Sequence, residues 1–319
     1  MVVRIAFIFI LFATLSGRYV QFGGGIFKDA QDAQSEAMGG IGINVAGSGN
    51  PALLIHANES SVHFSQKDKY GGLSKVGSVS YFHFGRDKKN QTPIYFQIIN
   101  RSVQNIPDTR SAWLDDGNSV PEAGEINYFN IGNFTQNEIG VKTAFIHRFN
   151  SIIVGTSLKP WFTQLDNDKA FGFSADISTL TQFFENKLNI SLRIEDLFTI
   201  NRWTTGRNES IIPEIIAGGH FQGGPIQFGV ELQSSLIEDP PFNYNIGFEF
   251  HQKGEIVIIR GGTSYNHLFT AGLGLNFNML QIDYAYLHTW KNSPFDPSQI
   301  VSIGIFLEKA AWIKGKITP

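Results

Sequence analysis

The sequence predicts an all-β protein, a transmembrane antiparallel β-barrel of about 14 strands. Three observations support this prediction: an N-terminus that resembles an export signal, a strict alternation of apolar and polar residues, and many strand-sized runs separated by turn residues. Each observation has a soluble alternative when it is taken alone, and the prediction depends on all three.

The first 17 residues have the layout of a secretory signal peptide. Arg4 supplies a cation, residues 5–15 form an apolar run, and small and polar residues follow as far as Gly17. An apolar run of this length suits export, whereas a helix that spans a bilayer needs about 20 apolar residues. We therefore expect residues 1–17 to be a signal peptide, with no defined cleavage site, and the rest of the chain to enter a membrane only by strands.

Residues 188–195 show the alternation most clearly. Apolar residues occupy one face of the predicted strand and polar residues the other, namely Leu188, Ile190, Leu192 and Ile194 against Asn189, Ser191, Arg193 and Glu195. A soluble sheet would turn the apolar face towards a core, whereas a transmembrane barrel turns it towards lipid and the polar face towards a lumen. Residues 226–233, 244–251, 272–277 and 281–286 repeat the pattern.

Strand-sized runs fill residues 74–308, which we predict to be the barrel. Counting them gives about fourteen runs of ~9–11 residues, the length that a tilted strand needs to cross a bilayer. Several connections are short, whereas Arg101–Glu125 and Asn201–Ser210 are long and polar. Short turns on one rim and long loops on the other are typical of outer-membrane barrels.

A soluble β-sandwich is the alternative fold. Its outer face would meet bulk water and carry many Lys and Glu side chains, whereas the polar face here carries Gly, Ser, Asn, Gln and isolated charges. Aromatic residues near the ends of runs, Trp161 and Trp290 among them, suit the girdles that barrels place at the membrane interface. The barrel is therefore the better prediction.

Composition excludes several classes of protein. Only 17% of the 319 residues are charged, and the net charge of −3 offers no basic surface for nucleic acid. The chain has 28 Phe, 9 Tyr and 33 Gly, which suit strands and tight turns, and it has no cysteine. Disulfides, thiol nucleophiles and zinc sites built on cysteine are thereby excluded.

The sequence carries no recognisable catalytic or metal-binding motif. There is no G-x-S-x-G elbow, no H-E-x-x-H pair and no complete calcium loop at Asp115–Asn118 or Asp166–Asp168. No serine is predicted to lie beside a histidine. We therefore expect a protein that is not an enzyme and that has no cofactor and no metal.

Two segments resemble PorV/PorQ-type proteins of the FadL-like barrel superfamily. Residues 37–58 are similar to the segment that follows the signal peptide in that family, with Ala37-Met38-Gly39-Gly40 as the best match. Residues 269–289 resemble the late hairpin of the family, through Gly272, Gly274, Phe277 and the run 282–285. The resemblance implies a barrel of about 14 strands with an N-terminal irregular hatch segment folded into its lumen.

The resemblance also implies a division of the chain. Residues 18–73 would be the hatch and the approach to the barrel, with a short helix near residues 30–37, and residues 309–319 would be a C-terminal tail. The N-P-A motif of the family should fall near residues 55–58, yet this chain spells it at residues 50–52. The candidate hatch or ligand residues are Met38, Gly39, Gly40, Asn50, Pro51, Ala52, Leu53, Leu54, Ile55, His56 and Asn58.

Six charged side chains are predicted to point into the lumen. There they would pair with the hatch or with one another, because a buried charge needs a partner. These residues are Lys142, Arg193, Glu195, Glu231, Glu249 and Asp283.

Two functions follow from the resemblance, both in the outer membrane of a Gram-negative bacterium and in contact with its lipid. The first is a type IX secretion accessory that engages exported proteins or secretion-pore subunits through loops such as Arg101–Glu125. The alternative is FadL-like transport of a hydrophobic small molecule through a lateral gap. Transport predicts an apolar ligand pocket under the hatch lined by Met38, Leu53, Leu54 and Ile55, and a charged, filled lumen would count against it. A purely structural barrel is a third possibility.

Overall fold

The computed structural model describes residues 25–29, 32–43, 49–57, 59–84, 93–114, 117, 120, 123–234, 242–252, 254, 256–290 and 293–309. The predicted signal peptide and most of the C-terminal tail lie outside the described residues. The strands are β1 (Ser61–Lys69), β2 (Ser74–His83), β3 (Ile94–Asp108), β4 (Gly132–Phe149), β5 (Ile152–Leu165), β6 (Asp168–Phe183), β7 (Leu188–Trp203), β8 (Asn208–Glu209), β9 (Glu214–Gly223), β10 (Ile226–Ser234), β11 (Phe242–His251), β12 (Val257–Ser264), β13 (His267–Phe277), β14 (Leu280–Thr289) and β15 (Ser298–Phe306).

The strands form one closed antiparallel barrel. Fourteen of them each pair with two neighbours, the first strand β1 with the last strand β15, and β7 with both β6 and β9. The two-residue strand β8 only extends one end of β7. Closure leaves none of these fourteen strands at an edge of the sheet, which is the condition for a sheet to cross a bilayer. The predicted barrel of about 14 strands is confirmed.

The two faces of the wall differ as the alternation predicted. On β7, Ile190 and Leu192 are 47% and 48% exposed on the outside, whereas Asn189, Ser191 and Arg193 are buried inside. Outward Phe, Ile, Leu and Val side chains occur on strands around the barrel. An outward apolar band and a polar interior are the signature of a membrane barrel, since the bilayer replaces water as the solvent of the outer face.

The N-terminal segment lies inside the barrel. It contains a helix at Ile26–Asp29, a helix at Ala33–Ala37 and a 3-10 helix at Pro51–His56, and the residues that face the wall are buried. We call the described residues 25–29, 32–43 and 49–57 the hatch. Of the described residues, none belongs to a helix that is long and apolar enough to cross a membrane.

Glycines on the inner face of the wall make room for the hatch. A methyl group added at any of seven of them would lie 3.2 Å or less from a hatch atom, which is closer than ordinary van der Waals contact. These residues are Gly140, Gly155, Gly218, Gly229, Gly247, Gly262 and Gly272. The enrichment in glycine therefore serves the close approach of two backbones as well as the turns.

Several boundaries differ from the prediction. Strand β1 begins at Ser61, inside the range 18–73 assigned to the hatch and the approach to the barrel. Strand β3 continues to Asp108, so the first residues of the predicted loop Arg101–Glu125 belong to the wall. Similarly, β7 continues to Trp203, within the predicted loop Asn201–Ser210. These strand ends extend beyond the apolar band. Outward positions there do not face lipid, so the sequence shows no apolar–polar alternation that would predict a strand.

Candidate functional site

Ion pairs fix the first hatch helix to the wall. Lys28 pairs with Glu214 of β9, and Asp29 pairs with Lys69 of β1 and, at 2.8 Å, with Arg101 of β3. Burial alone would raise the pKa of Asp29, but the neighbouring cations outweigh burial and hold this pKa below its ordinary value. The carboxylate of Asp29 is therefore charged at neutral pH and links two wall strands to the hatch.

The second hatch helix is held in the same way. Glu36 pairs with Lys67 of β1, and both side chains are almost fully buried. The helix begins with Asp32, whose carboxylate accepts a hydrogen bond of 2.9 Å from the backbone N–H of Ser35. Burial raises the pKa of Asp32 to about 6.

Wall side chains satisfy the backbone of the hatch. Four backbone N–H groups of the hatch donate hydrogen bonds to side chains of the wall. Ala33 donates to Ser302 at 2.9 Å and Gly39 to Thr270 at 3.0 Å. Gly42 donates to Glu231 at 2.9 Å and Ala52 to Ser178 at 3.1 Å. Irregular backbone at membrane depth persists only where such partners exist, because no water is available there. The hatch is therefore hydrogen-bonded to the inner face of the barrel wall.

The candidate hatch residues occupy two kinds of position. Met38 packs against Gly247, and Gly39 and Gly40 have positive φ angles of 78° and 81° at the turn after the second helix. The triplet 50–52 starts the 3-10 helix: the side chain of Asn50 accepts from the N–H of Ala52, and Pro51 fills the first position. This triplet is thus a docking point on the wall, whereas Asn58 lies outside the described residues.

The apolar side chains of the 3-10 helix face the wall. Leu53 packs in a cluster with Ile153 and Leu180, against which Ile55 also packs, and Leu54 packs against Tyr95. His56 is exposed, with its Nε2 atom 3.2 Å from the side-chain nitrogen of Gln182. Since these side chains fill the space between hatch and wall, the structure does not bring Met38, Leu53, Leu54 and Ile55 together around an apolar pocket.

The six predicted lumen charges all point inward. Arg193 lies 3.1 Å from Glu195 and 3.9 Å from Glu231, and Glu231 also accepts the hydrogen bond of the hatch at Gly42. Glu249 and Asp283 both pair with Arg260, which the sequence analysis missed. Lys142 is buried and lines the larger chamber.

Two chambers in the lumen are lined by residues that the structure describes. The larger one, of about 470 Å³, lies towards the rim that carries the connection 109–131, which we call the outer rim. It is lined by both signs of charge, including Lys67, Lys69, Lys159, Asp176 and Glu214. The larger chamber is therefore not the apolar pocket that the sequence predicted, because its lining carries charges of both signs.

The smaller chamber lies towards the opposite rim, where β1 begins and β15 ends. Its volume is about 340 Å³, and its lining is rich in hydroxyl and amide groups. It contains Ser61 and His63, whose Oγ and Nε2 atoms lie 2.9 Å apart. The expectation that no serine lies beside a histidine is therefore wrong. Residues two apart on a strand share a face, so the spacing of Ser61 and His63 in the sequence could have predicted this contact.

Strand β7 is bulged at mid-height. Its residues 195–197 lie opposite a single residue of β6, Asp176, since Ala175 pairs with Phe198 and Ile177 pairs with Ile194. Asp196 has a positive φ of 56°, its N–H donates to Asp176, and Lys159 contacts both carboxylates at 2.6 and 2.7 Å. Buried charges of opposite sign thus hold the bulge in place.

The pairing between β7 and β9 stops at this bulge. Its last pair is Glu195 with Glu214, and Pro213, which has no N–H to donate, comes directly before β9. Two carboxylates directly opposite one another on adjacent strands repel, and Lys28 of the hatch pairs with one of them. We call this place, where β7 runs on without β9, the seam.

An apolar cluster lies in the lumen. Ile26 and Phe27 of the hatch pack there with Trp161 of β5 and with Ile211, which lies in the connection that bridges the seam. The rings of Phe27 and Trp161 meet edge to face, with 6.0 Å between their centroids. Trp161 is therefore a lumen residue and not the interfacial girdle residue that the sequence predicted.

Solved structures with a similar fold are toluene transporters. TodX of Pseudomonas putida superposes with a TM-score of 0.59 at 10% sequence identity, covering 86% of this chain and 98% of that one. TbuX of Ralstonia pickettii gives 0.57 at 12% identity, with 86% and 98% covered. Likeness at this identity establishes the fold alone. No protein-family model and no curated protein matches the sequence.

Fold and site together define the class of protein. A closed barrel with an apolar outer band, of the fold that these transporters share, is a bacterial outer-membrane protein. The described residues of its N-terminal segment lie inside the lumen. Among the residues described, no three His, Asp or Glu side chains are grouped so that they could hold a metal ion.

Proposed function

We propose that this protein is an outer-membrane channel that takes up a small apolar molecule and releases it sideways through the barrel wall. The observation that carries the proposal is the seam, where the pairing of β7 with β9 ends beside the lumenal apolar cluster. The fold shared with two toluene transporters supports the same class of substrate.

The charge distribution favours a lateral route over an axial one. An apolar molecule on the barrel axis would have to pass the paired charges of the larger chamber and then displace the hatch. In the lateral route it leaves the cluster around Phe27 and Trp161 for the lipid that surrounds Phe198 and Ile200, which are exposed on the outer face. Along most of this route the apolar molecule contacts apolar side chains or lipid instead of water, which is favourable.

The proposal is tested by removing the bulge. Deleting residues 196 and 197 leaves Glu195 alone opposite Asp176 and keeps Ile194 and Phe198 on the outer face, so that β7 becomes a regular strand. We expect this variant to lose uptake of radiolabelled toluene by cells that express it, while the barrel still inserts in the outer membrane.

A second bulge supplies the matched control. Two residues of β3, including Asn105 with its positive φ of 57°, lie between the pairs Val103–Gln136 and Ile106–Phe134. Deleting Asn105 regularises a strand far from the seam, and uptake should stay at the level of the unmodified protein. Equal loss in both variants, or full uptake in the first, would refute a lateral route at the seam.

We propose engagement of exported proteins, as in type IX secretion, as a second candidate. The observation that favours it is an exposed aromatic pair in the connection 109–131, where Tyr128 is 71% and Phe129 100% exposed. Contiguous exposed apolar groups can form the centre of a protein-binding surface. Replacing both by serine should abolish co-purification of secretion-pore subunits or exported proteins, whereas unchanged partners, or none, would count against this candidate.

A further inference from the structure

The smaller chamber has a lining unlike that of the larger one. It lies between the hatch and the inner faces of β14, β15, β1, β2 and β3, and it encloses about 340 Å³, within the ~300–1,000 Å³ of small-molecule sites. Its hydroxyl and amide side chains are Ser61, Ser65, Ser78, Ser80, Ser302, Gln34, Gln97 and Gln281. Each of these groups both donates and accepts hydrogen bonds.

The acidic groups of this chamber are compensated. Asp283 pairs with Arg260, and Glu59 pairs at 2.9 Å with Lys309. The Asp32 carboxylate accepts the hydrogen bond of the Ser35 N–H and caps the second hatch helix. Among the described lining residues there is no Lys or Arg. A charged ligand of either sign therefore finds little to pair with.

Part of the hydrogen-bonding capacity of the chamber is unused. The hydroxyl groups of Ser78 and Ser80 and the amide of Gln34 have no hydrogen-bond partner among the described residues, and all three line the cavity. A wholly apolar ligand would displace the water bound to these groups and offer no hydrogen bond in its place, which costs free energy.

Aromatic rings form one side of the same chamber. Phe82 lies 4.8 Å from Tyr95 and 5.3 Å from His63, measured between ring centroids, and His63 lies 6.2 Å from Phe306. Such a surface takes the C–H face of a ring-shaped ligand, while the opposite hydroxyl and amide groups take its polar edge.

We propose that this chamber binds a neutral polyhydroxylated molecule of the size of a sugar ring. Such a ligand supplies hydroxyl groups that donate and accept, carries no charge, and offers C–H faces to the rings. The site lies on the far side of the hatch from the larger chamber and away from the seam, so the proposal does not depend on the proposed uptake function.

The test uses the purified full-length protein in detergent and isothermal titration calorimetry with four probes. These are D-glucose, the cation glucosamine, the anion glucose 6-phosphate and apolar toluene. We expect glucose to bind at least about tenfold more tightly to this chamber than either charged analogue. Toluene should leave the glucose affinity unchanged. Absence of glucose binding, or tighter binding of a charged analogue, overturns the proposal and makes the chamber a water-filled vestibule.

Variants locate the binding within the molecule. Replacing Ser78 and Ser80 together by alanine should weaken glucose binding about tenfold, the effect of two lost hydrogen bonds. Ser74 lies on the same strand, is buried and does not line the chamber, so Ser74→Ala should leave the affinity unchanged. Equal affinities in the double variant and in the control overturn the assignment of the site.

Discussion

The substitution Gly247→Ala tests whether the hatch occupies the lumen as described. Gly247 lies on the inner face of β11, and a methyl group there would overlap the carbonyl oxygen of Met38 most severely. It would also come 2.6 Å from Cβ of Met38 and 2.7 Å from its carbonyl carbon, whereas ordinary contact begins at 3.4 Å. Because both partners include backbone, no side-chain rotation relieves the overlap.

The expected cost follows from packing energetics. Overpacking a well-packed site costs ~1–3 kcal/mol. The better strand propensity of alanine does not offset this cost, because β11 is folded whether the hatch is docked or undocked. The docked hatch should therefore lose about 1–3 kcal/mol, which raises the population of undocked hatch about five- to 150-fold.

The assay is the rate of maleimide labelling at a single reporter cysteine. The chain has no cysteine, and Ser35 is fully buried in the second hatch helix, so Ser35→Cys reports undocking. Gly247→Ala should speed labelling about five- to 150-fold, in proportion to the undocked population. Gly219 has no atom near the position of an added methyl group, so Gly219→Ala should change nothing. Equal rates in both variants would refute the described packing.

Two further predictions use the same reporter. Lys28→Met removes the cation beside Glu214 and should speed labelling several-fold. The expected loss of docking free energy is ~1 kcal/mol, since the Lys28 side chain is 35% exposed. Adding Glu214→Gln to this variant should restore the slow rate, and a rate that stays fast would contradict the role of the ion pair. Asp32 binds its proton more tightly when the hatch is docked, so docking should strengthen as pH falls from 7 towards 4, whereas the low pKa of Asp29 should weaken docking below pH ~4. Asp32→Asn keeps the helix cap but cannot titrate. The labelling rate of this variant, divided by that of the parent, should change between pH 7 and 5. A constant ratio would exclude Asp32 as the cause.

Alternation predicted the wall of the barrel well because its physical cause is local. A strand between lipid and lumen must place residues two apart on one side, and Arg193 and Glu231 could be assigned to the lumen on that ground alone. The same rule applied to every strand would also have found Lys67, Lys159 and Arg260, all of them inward and buried.

The seam could not be predicted from alternation. The bulge at residues 195–197 shifts the register, so Asp196 reaches the lumen from a position that strict alternation gives to lipid. Nor does a sequence show that Lys28 of the hatch will stand beside Glu214, 186 residues later, because that contact exists only in the folded barrel. The apolar hatch residues were recognised, but their partners in the wall were not.

The most direct test of lateral uptake measures toluene uptake and ionic current on the same protein reconstituted in lipid bilayers. In the proposed mechanism the hatch and its ion pairs block the barrel axis and apolar molecules leave through the seam, so we predict toluene uptake without a steady ionic current. A persistent open-pore current, or the absence of toluene uptake, would contradict release through the wall.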